Sequence, residues 1–220
     1  MELPLPAATK NKKQKNRRLS PEVRKNIILD KTAELIAKEG VSAVSMERVS
    51  REVGVSKPLI YVYFPNQTKL LGDLLIREQN KLIELQSQAV AEATDFEDYI
   101  RRTTRTYLKH VDETGDHIQR LMREPSVAEV FEEFDRKDRQ RVVETLSKEV
   151  SKTFDIPPKT AALATEIAMG MTGAAGDMIA RGVASRKRIE EITLNLAMGS
   201  VKAMKENYSR TAKKISKKGS

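Results

Sequence analysis

The strongest constraint on the fold lies between Ser45 and Phe64. Met46, Val49 and Val53 recur at i, i+3 and i+7, which buries one face of a short helix, and Ser45 stands where its side chain can cap that helix. Gly54 follows, at a place where a chain leaving a helix commonly needs positive φ, and Ser56 is placed to cap a second helix at once. Two short helices meeting at one glycine make a helix-turn-helix. In the second helix Ile60 and Phe64 share a face and are expected to pack on Val49 and Val53. The opposite face carries Pro58 and Val62, flanked by Leu59 and Tyr61, with Lys57 near its start and Tyr63 at its edge. Apolar residues on that face are out of place against water. Thymine methyl groups in a major groove would meet Pro58, Leu59 and Val62, and Lys57 can donate to guanine O6 and N7. The same pattern fits a helical hairpin buried in an ordinary domain, but tyrosines directed at the surface and a neighbouring basic arm weigh against it.

The distribution of charge agrees. The net charge is +9, yet residues 1–70 hold 14 Lys+Arg against 7 Asp+Glu, residues 71–200 hold 19 against 23, and residues 201–220 hold 7 against 1. Basicity therefore belongs to the helix-turn-helix end and to the tail, which points to an anionic partner for the first. Lys10, Lys12, Lys13, Lys15, Arg17 and Arg18 show no apolar periodicity, so residues 1–19 are expected to be a disordered arm able to follow phosphates or a minor groove. Lys213, Lys214, Lys217 and Lys218, in a tail over 208–220, read more simply as solubilising. The chain lacks cysteine, which excludes a disulfide framework and a thiolate metal site. No apolar run reaches the roughly 18 residues of a membrane span, and the opening Met-Glu-Leu-Pro-Leu-Pro-Ala-Ala is too short for a secretion signal, so the expected location is the cytoplasm.

Taken with its surroundings, the helix-turn-helix resembles that of the TetR-type bacterial transcription regulators. The resemblance runs from about Arg24 to Leu71 through Ile28-Leu29-Asp30, Ala33, Leu35-Ile36-Ala37, Gly40, Ser45, Val49, Gly54-Val55-Ser56, Ile60-Tyr61, Tyr63-Phe64, Asn66 and Leu70-Leu71. It implies an all-α chain: an N-terminal three-helix helix-turn-helix domain, then a C-terminal helical domain that dimerises and binds a small effector. It further implies that Ser45, Tyr61 and Tyr63 contact phosphates of a double-stranded operator while Lys57, Pro58, Leu59 and Val62 face bases. Where the family usually has lysine at the start of the fourth helix this chain has Gln67, whose amide can donate a hydrogen bond to phosphate but releases no counterion. Repression is the family's usual mode and is the expectation here.

The spacing places the remaining helices. Ser20-Pro21 opens a first helix that Gly40 closes, so the DNA-binding domain spans 20–65 and a helical body spans 66–207. Asn66 caps a fourth helix running to about Ala91, and Asp95 starts another that stops near Thr114-Gly115. Further helices are predicted from His117 to Arg123, from Pro125 to about Phe154, from Lys159 to Arg181, and from Ser185 to about Asn207. Ala161, Ala162, Ala164, Ala168, Gly170, Gly173, Ala174, Ala175 and Gly176 let another helix approach closely, and glycine costs about 1 kcal/mol against alanine inside a helix, so these residues need a packing reason. With Ile189, Ile192, Leu196, Gly199 and Ala203 of the last helix they suit a homodimer interface; an intrachain core is the alternative.

The effector pocket is the least constrained feature. The resemblance puts it among helices carrying Tyr107, His110, His117, Met122, Phe131, Phe134, Glu166, Met169 and Met171, and methionines suit an adaptable apolar or amphipathic ligand as well as an ordinary core. Catalysis has no foothold: there is no zinc-binding His-Glu-x-x-His, no Gly-x-Ser-x-Gly elbow and no phosphate-cradling glycine loop, and neither metal nor cofactor is expected. A nonspecific DNA-coating protein is a further alternative, disfavoured by the acidic C-terminal block.

Overall fold

The computed structural model describes residues 20–218, so the basic arm expected over 1–19 lies outside the described residues. Among them the chain is all-α. Helix α1 (Pro21–Glu39) starts where Ser20 Oγ accepts the Val23 N–H at 3.3 Å and ends at Gly40, φ 88°, whose N–H donates to Ile36 O at 2.8 Å. A 3₁₀ turn, Val41–Ala43, leads to α2 (Met46–Val53) and α3 (Lys57–Tyr63). The body consists of α4 (Gln67–Ala91), α5 (Phe96–Thr114), α6 (Asp116–Met122), α7 (Pro125–Phe154), α8 (Pro158–Ala180) and α9 (Arg186–Lys218). Asn66 Oδ1 and Asp95 Oδ1 accept the Lys69 and Asp98 N–H groups at 2.8 Å, so α4 and α5 each begin on a side-chain cap.

Sequence spacing fails chiefly at two ends. The 3₁₀ turn has no periodicity to announce it, being a single turn of chain between Gly40 and the Ser45 cap. Helix α9 passes the expected stop at Asn207 and runs to Lys218, since no glycine or proline before Gly219 interrupts residues that all tolerate a helix. The tail expected over 208–220 is thus largely helix.

One buried cluster unites the first three helices with the body. Ile28, Leu29 and Ile36 of α1, Val49 of α2, Ile60 of α3 and Phe64 meet Leu70, Leu71, Leu74 and Leu75 of α4, and the cluster continues into Leu121 of α6 and Val127 and Phe131 of α7. Each such side chain contributes about 1.5–3 kcal/mol of transfer free energy, so the helix-turn-helix unit shares its core with the start of the body. Farther along lie two smaller clusters. Leu108, Val111, Ala175, Ile179 and Ile189 join α5, α8 and α9, and Val150, Ile156 and Ala161 lie at the opposite end of α8. Gly176 brings α8 against α5, because a Cβ there would lie 2.5 Å from Tyr107 Oη.

The small-residue run of α8 is divided between two faces. Ala161, Ala175 and Gly176 are buried within the chain. Gly170 and Gly173 face open space, flanked by Leu163 and by Ile167, which is 74% exposed. Ile192 and Leu196 of α9 are likewise exposed. Among the described residues no helix is long and apolar enough to cross a membrane.

Candidate nucleic-acid interface

The turn between α2 and α3 is built from backbone hydrogen bonds that only one conformation satisfies. Gly54 sits at φ 73°, its N–H donating to Arg51 O at 3.1 Å, and Val55 N–H donates to Ser50 O at 3.0 Å. These two bonds close the carbonyls left open at the end of α2 and turn the chain into α3. Ser45 Oγ accepts the Arg48 N–H at 3.1 Å, so the capping role read from the sequence holds. Ser56 occupies the start of α3, but its hydroxyl makes no capping bond; Pro58 sets the helical φ there instead.

Inside the turn Val49, Ile60 and Phe64 are fully buried and Val53 packs beside them. The polar groups that enter this core are satisfied: Thr32 Oγ1 donates to Ile28 O and Ser50 Oγ to Glu47 O, both at 2.8 Å. Arg48 braces α2 against the end of α1, with Glu39 at 3.0 Å and Glu52 at 2.8 Å.

The outer face of α3 presents the residues singled out from the sequence. Lys57 and Pro58 are exposed, Val62 is 76% exposed and Tyr61 44%. Leu59 and Tyr63 are half-buried, and Tyr63 packs on the core, so its ring belongs partly to the fold and not wholly to the surface. Ser45 and Gln67 are exposed at the first residues of their helices' N-terminal ends, on either side of α3 in the chain. Helix α3 carries no acidic side chain and α4 has none in its first turn, which favours an anion there, whereas the first turn of α2 carries the exposed Glu47. An exposed apolar ridge with a lysine at its start and a tyrosine hydroxyl beside it is chemistry suited to base edges and phosphates.

The expected effector residues do not come together. Tyr107 packs between α5 and α8; burial pushes its phenol above the ordinary value, against a hydrogen bond with Gln119. His110 is half-buried on α5, its imidazole held below the ordinary value by burial, with Glu78 acting in the opposite sense. Phe131, Met122 and Phe134 belong to the large core cluster, and His117 lines a cleft of about 260 Å³ against the end of α1. Met169 and Met171 are half-buried, whereas Glu166 is exposed. The preceding residue, Thr165, is the one the sequence reading passed over: it is 3% exposed and its Oγ1 has no hydrogen-bond partner among the described residues. In a run of small residues, nothing local says which face turns inward.

Comparison with known proteins gives a consistent result. Residues 28–74 match the model of bacterial regulatory proteins of the tetR family. The HTH-type transcriptional activator FasR of Mycolicibacterium smegmatis is 22% identical over 116 residues, so the chain spans about half the length of the curated relative it matches, 53% of each. A TetR-like transcriptional regulator from Rhodococcus sp. RHA1 has the same fold, with a TM-score of 0.64 at 19% identity over 84% of this chain and 98% of that one. So does the fatty acid degradation regulator FadR of Bacillus halodurans, with a TM-score of 0.62 at 17% identity over 82% and 96%. Residues 28–74, which hold the helix-turn-helix, are thus similar to the matching segment of tetR-family bacterial regulatory proteins, and the chain shares the all-α fold of these solved regulators.

Proposed function

We propose that the chain is a sequence-specific, DNA-binding transcriptional regulator that acts in the cytoplasm as a homodimer on an inverted-repeat operator. The observation that carries this reading is the outer face of α3, where Val62 is 76% exposed beside Lys57, Pro58 and Tyr61. An isolated apolar ridge of this kind is costly in water and useful in a major groove. Dimerisation is supported by the unpartnered face of α8 and α9, in which Leu163, Ile167, Ile192 and Leu196 surround glycines that leave room for a second helix. A two-fold protein then mirrors a two-fold site. The DNA-binding unit is assigned to 20–65, with Ser45, Tyr61, Tyr63 and Gln67 on phosphates and Lys57, Pro58, Leu59 and Val62 toward bases.

Release of the operator by a small apolar or amphipathic effector completes the proposal. Its support is in the body: along α5 and α8, between the two smaller apolar clusters, Thr104 and Thr165 are buried and the Thr165 hydroxyl is unpaired. A buried hydroxyl without a partner costs about 1–3 kcal/mol, which a ligand's hydrogen-bonding group would recover. Tyr107 and His110 of α5 and Met169 and Met171 of α8, on the two helices that carry these threonines, are the proposed surroundings. Repression is the proposed mode; activation is the second reading, favoured by the description of FasR as an activator.

Genomic footprinting with purified protein tests the function. Protection of a few symmetric sites upstream of genes is expected, with transcription from those promoters in vitro separating repression from activation. Uniform protection without preferred sites would instead identify a coating protein.

A further inference from the structure

We infer that the buried Thr165 hydroxyl anchors the effector and selects an uncharged hydrogen-bonding group on an apolar body, such as an alcohol or an amide, over a carboxylate or an amine; the inference rests on the effector reading above. Threonine inside a helix commonly satisfies its own hydroxyl by donating to the carbonyl four residues back. Thr32 donates in this way to Ile28 O, Thr103 to Tyr99 O, Thr114 to His110 O, Thr172 to Ala168 O and Thr193 to Ile189 O, all within 2.7–3.0 Å. Thr165 is 3% exposed, yet its Oγ1 has no partner among the described residues, the Ala161 carbonyl included. Its hydroxyl is turned away from its own helix at a place closed to bulk water.

Its neighbours on α8 offer nothing to bond and little bulk to keep a guest out. Side chains three and four positions away share the face of Thr165, and these are Ala161, Ala162, Ala168 and Met169. Ala161 packs with Val150 and Ile156, so the site borders an apolar cluster on that side. Met169 is half-buried, and its unbranched thioether can change rotamer to make room. A ligand group reaching the hydroxyl makes the hydrogen bond that folding leaves unmade, while the alanines and Met169 receive the apolar part.

The distribution of charge disfavours an ionised group there. Among the described residues no lysine or arginine is buried. Those of α7 and α8 are exposed, and Arg101 and Arg102 of α5 are engaged by Glu97, Glu92 and Asp98. A carboxylate beside Thr165 would leave water without meeting a counter-charge, a penalty that one hydroxyl does not offset. An ammonium fares no better, since the buried carboxylate of Glu78 already holds Arg77 and Lys81, each at 3.0 Å. A neutral hydroxyl or amide incurs no such penalty and exchanges its bond with water for one with Thr165.

The experiment titrates the full chain by calorimetry with decanol, decanamide, decanoate and decylamine, which share an apolar chain, at about pH 7.5, where the last two are charged. Wild type should bind the neutral pair about tenfold or more tighter than either ion. Thr165→Val keeps the shape and removes the hydroxyl, so its affinity for decanol should fall about tenfold. Without ligand the same variant should melt about 2–4 °C above wild type, because an unsatisfied buried group is gone; a hydroxyl that serves the fold would give the opposite shift. Thr165→Ser keeps the hydroxyl and should keep the preference for the neutral pair. A Thr165→Val protein that melts no higher than wild type, or binds decanol as wild type does, would overturn the anchor and leave the effector reading intact. Equal or tighter binding of the ions by wild type would do the same. Binding of none of the probes by wild type would overturn both.

Discussion

At Gly54 the backbone requires φ 73°, and that requirement separates a helix-turn-helix from one longer straight helix. Features of this kind are legible in a sequence because they are local: Ser45, Asn66 and Asp95 cap the helices they precede, and Gly40 and Gly54 end theirs. The role of Ser56 was less legible, since a serine at a cap position need not use its hydroxyl when proline already sets the first turn. Lys57 stands exposed at the start of α3 with no ion pair to hold it among the described residues. Lys57→Ala is expected to relax base preference at one position per half-site at a cost of roughly 1–3 kcal/mol, measured by competition among single-base operator variants. A uniform loss on every sequence would assign Lys57 to phosphate instead. Gln67, exposed at the start of α4, makes the complementary case. Gln67→Lys should steepen the dimer's log K against log salt by about 0.9 per new phosphate contact, roughly 1.8 in all, with base preference unchanged. Identical slopes would mean that position 67 does not face phosphate.

Among elements, the helices with strong periodicity and clear caps lie where the sequence puts them, α4 and α7 to within a residue of the predicted ends. What spacing does not carry is which helices touch. The pairing of α1 with α4 through Lys25, Asp30, Asp73 and Arg77 joins residues far apart in the chain, and the inward turn of Thr165 depends on neighbours that only the fold supplies. The contact between α4 and α5 has a consequence for stability. Burial holds His110 below its ordinary value of 6.5, while Glu78 of α4 and Glu113 of α5 oppose that effect and Lys81 of α4 adds to it. Below pH 6.5 the unfolded chain therefore binds a proton that the folded chain resists, and stability is lost as the pH falls from there through the folded value; above 6.5 the contribution is complete. Thermal midpoints measured between about pH 7.5 and pH 5 should decline in the wild type and decline less in His110→Gln, which cannot titrate. Parallel declines in the two proteins would place the titration on another group.

The whole molecule joins a helix-turn-helix unit to a helical body that is acidic over residues 71–200, and the shared core running from Ile28 through Leu75 to Phe131 makes them one mechanical unit. The fold class and the helix-turn-helix were legible because both follow from periodicity and caps. The proposed effector region was not, because its residues are dispersed over α5 to α8 and each alone has an ordinary structural use. The packing of α8 lay between these extents: its small-residue run pointed to close packing, and the fold divides it between an intrachain face and an exposed one bearing Ile167. A lysine at position 167 would place a charge in the centre of a dimer interface there, where an unpaired buried charge costs several kcal/mol, while on a monomer's surface it would cost almost nothing. The central claim is that a two-fold dimer reads a two-fold site, and sedimentation of wild type and Ile167→Lys, alone and with the footprinted operator, measures it directly. The account predicts a wild-type dimer that places two chains on each operator, about 10³-fold or more tighter than on random duplex, and a folded Ile167→Lys monomer that binds the operator no better than a half-site. A wild type that sediments as a monomer and binds one chain per operator with half-site affinity would contradict it.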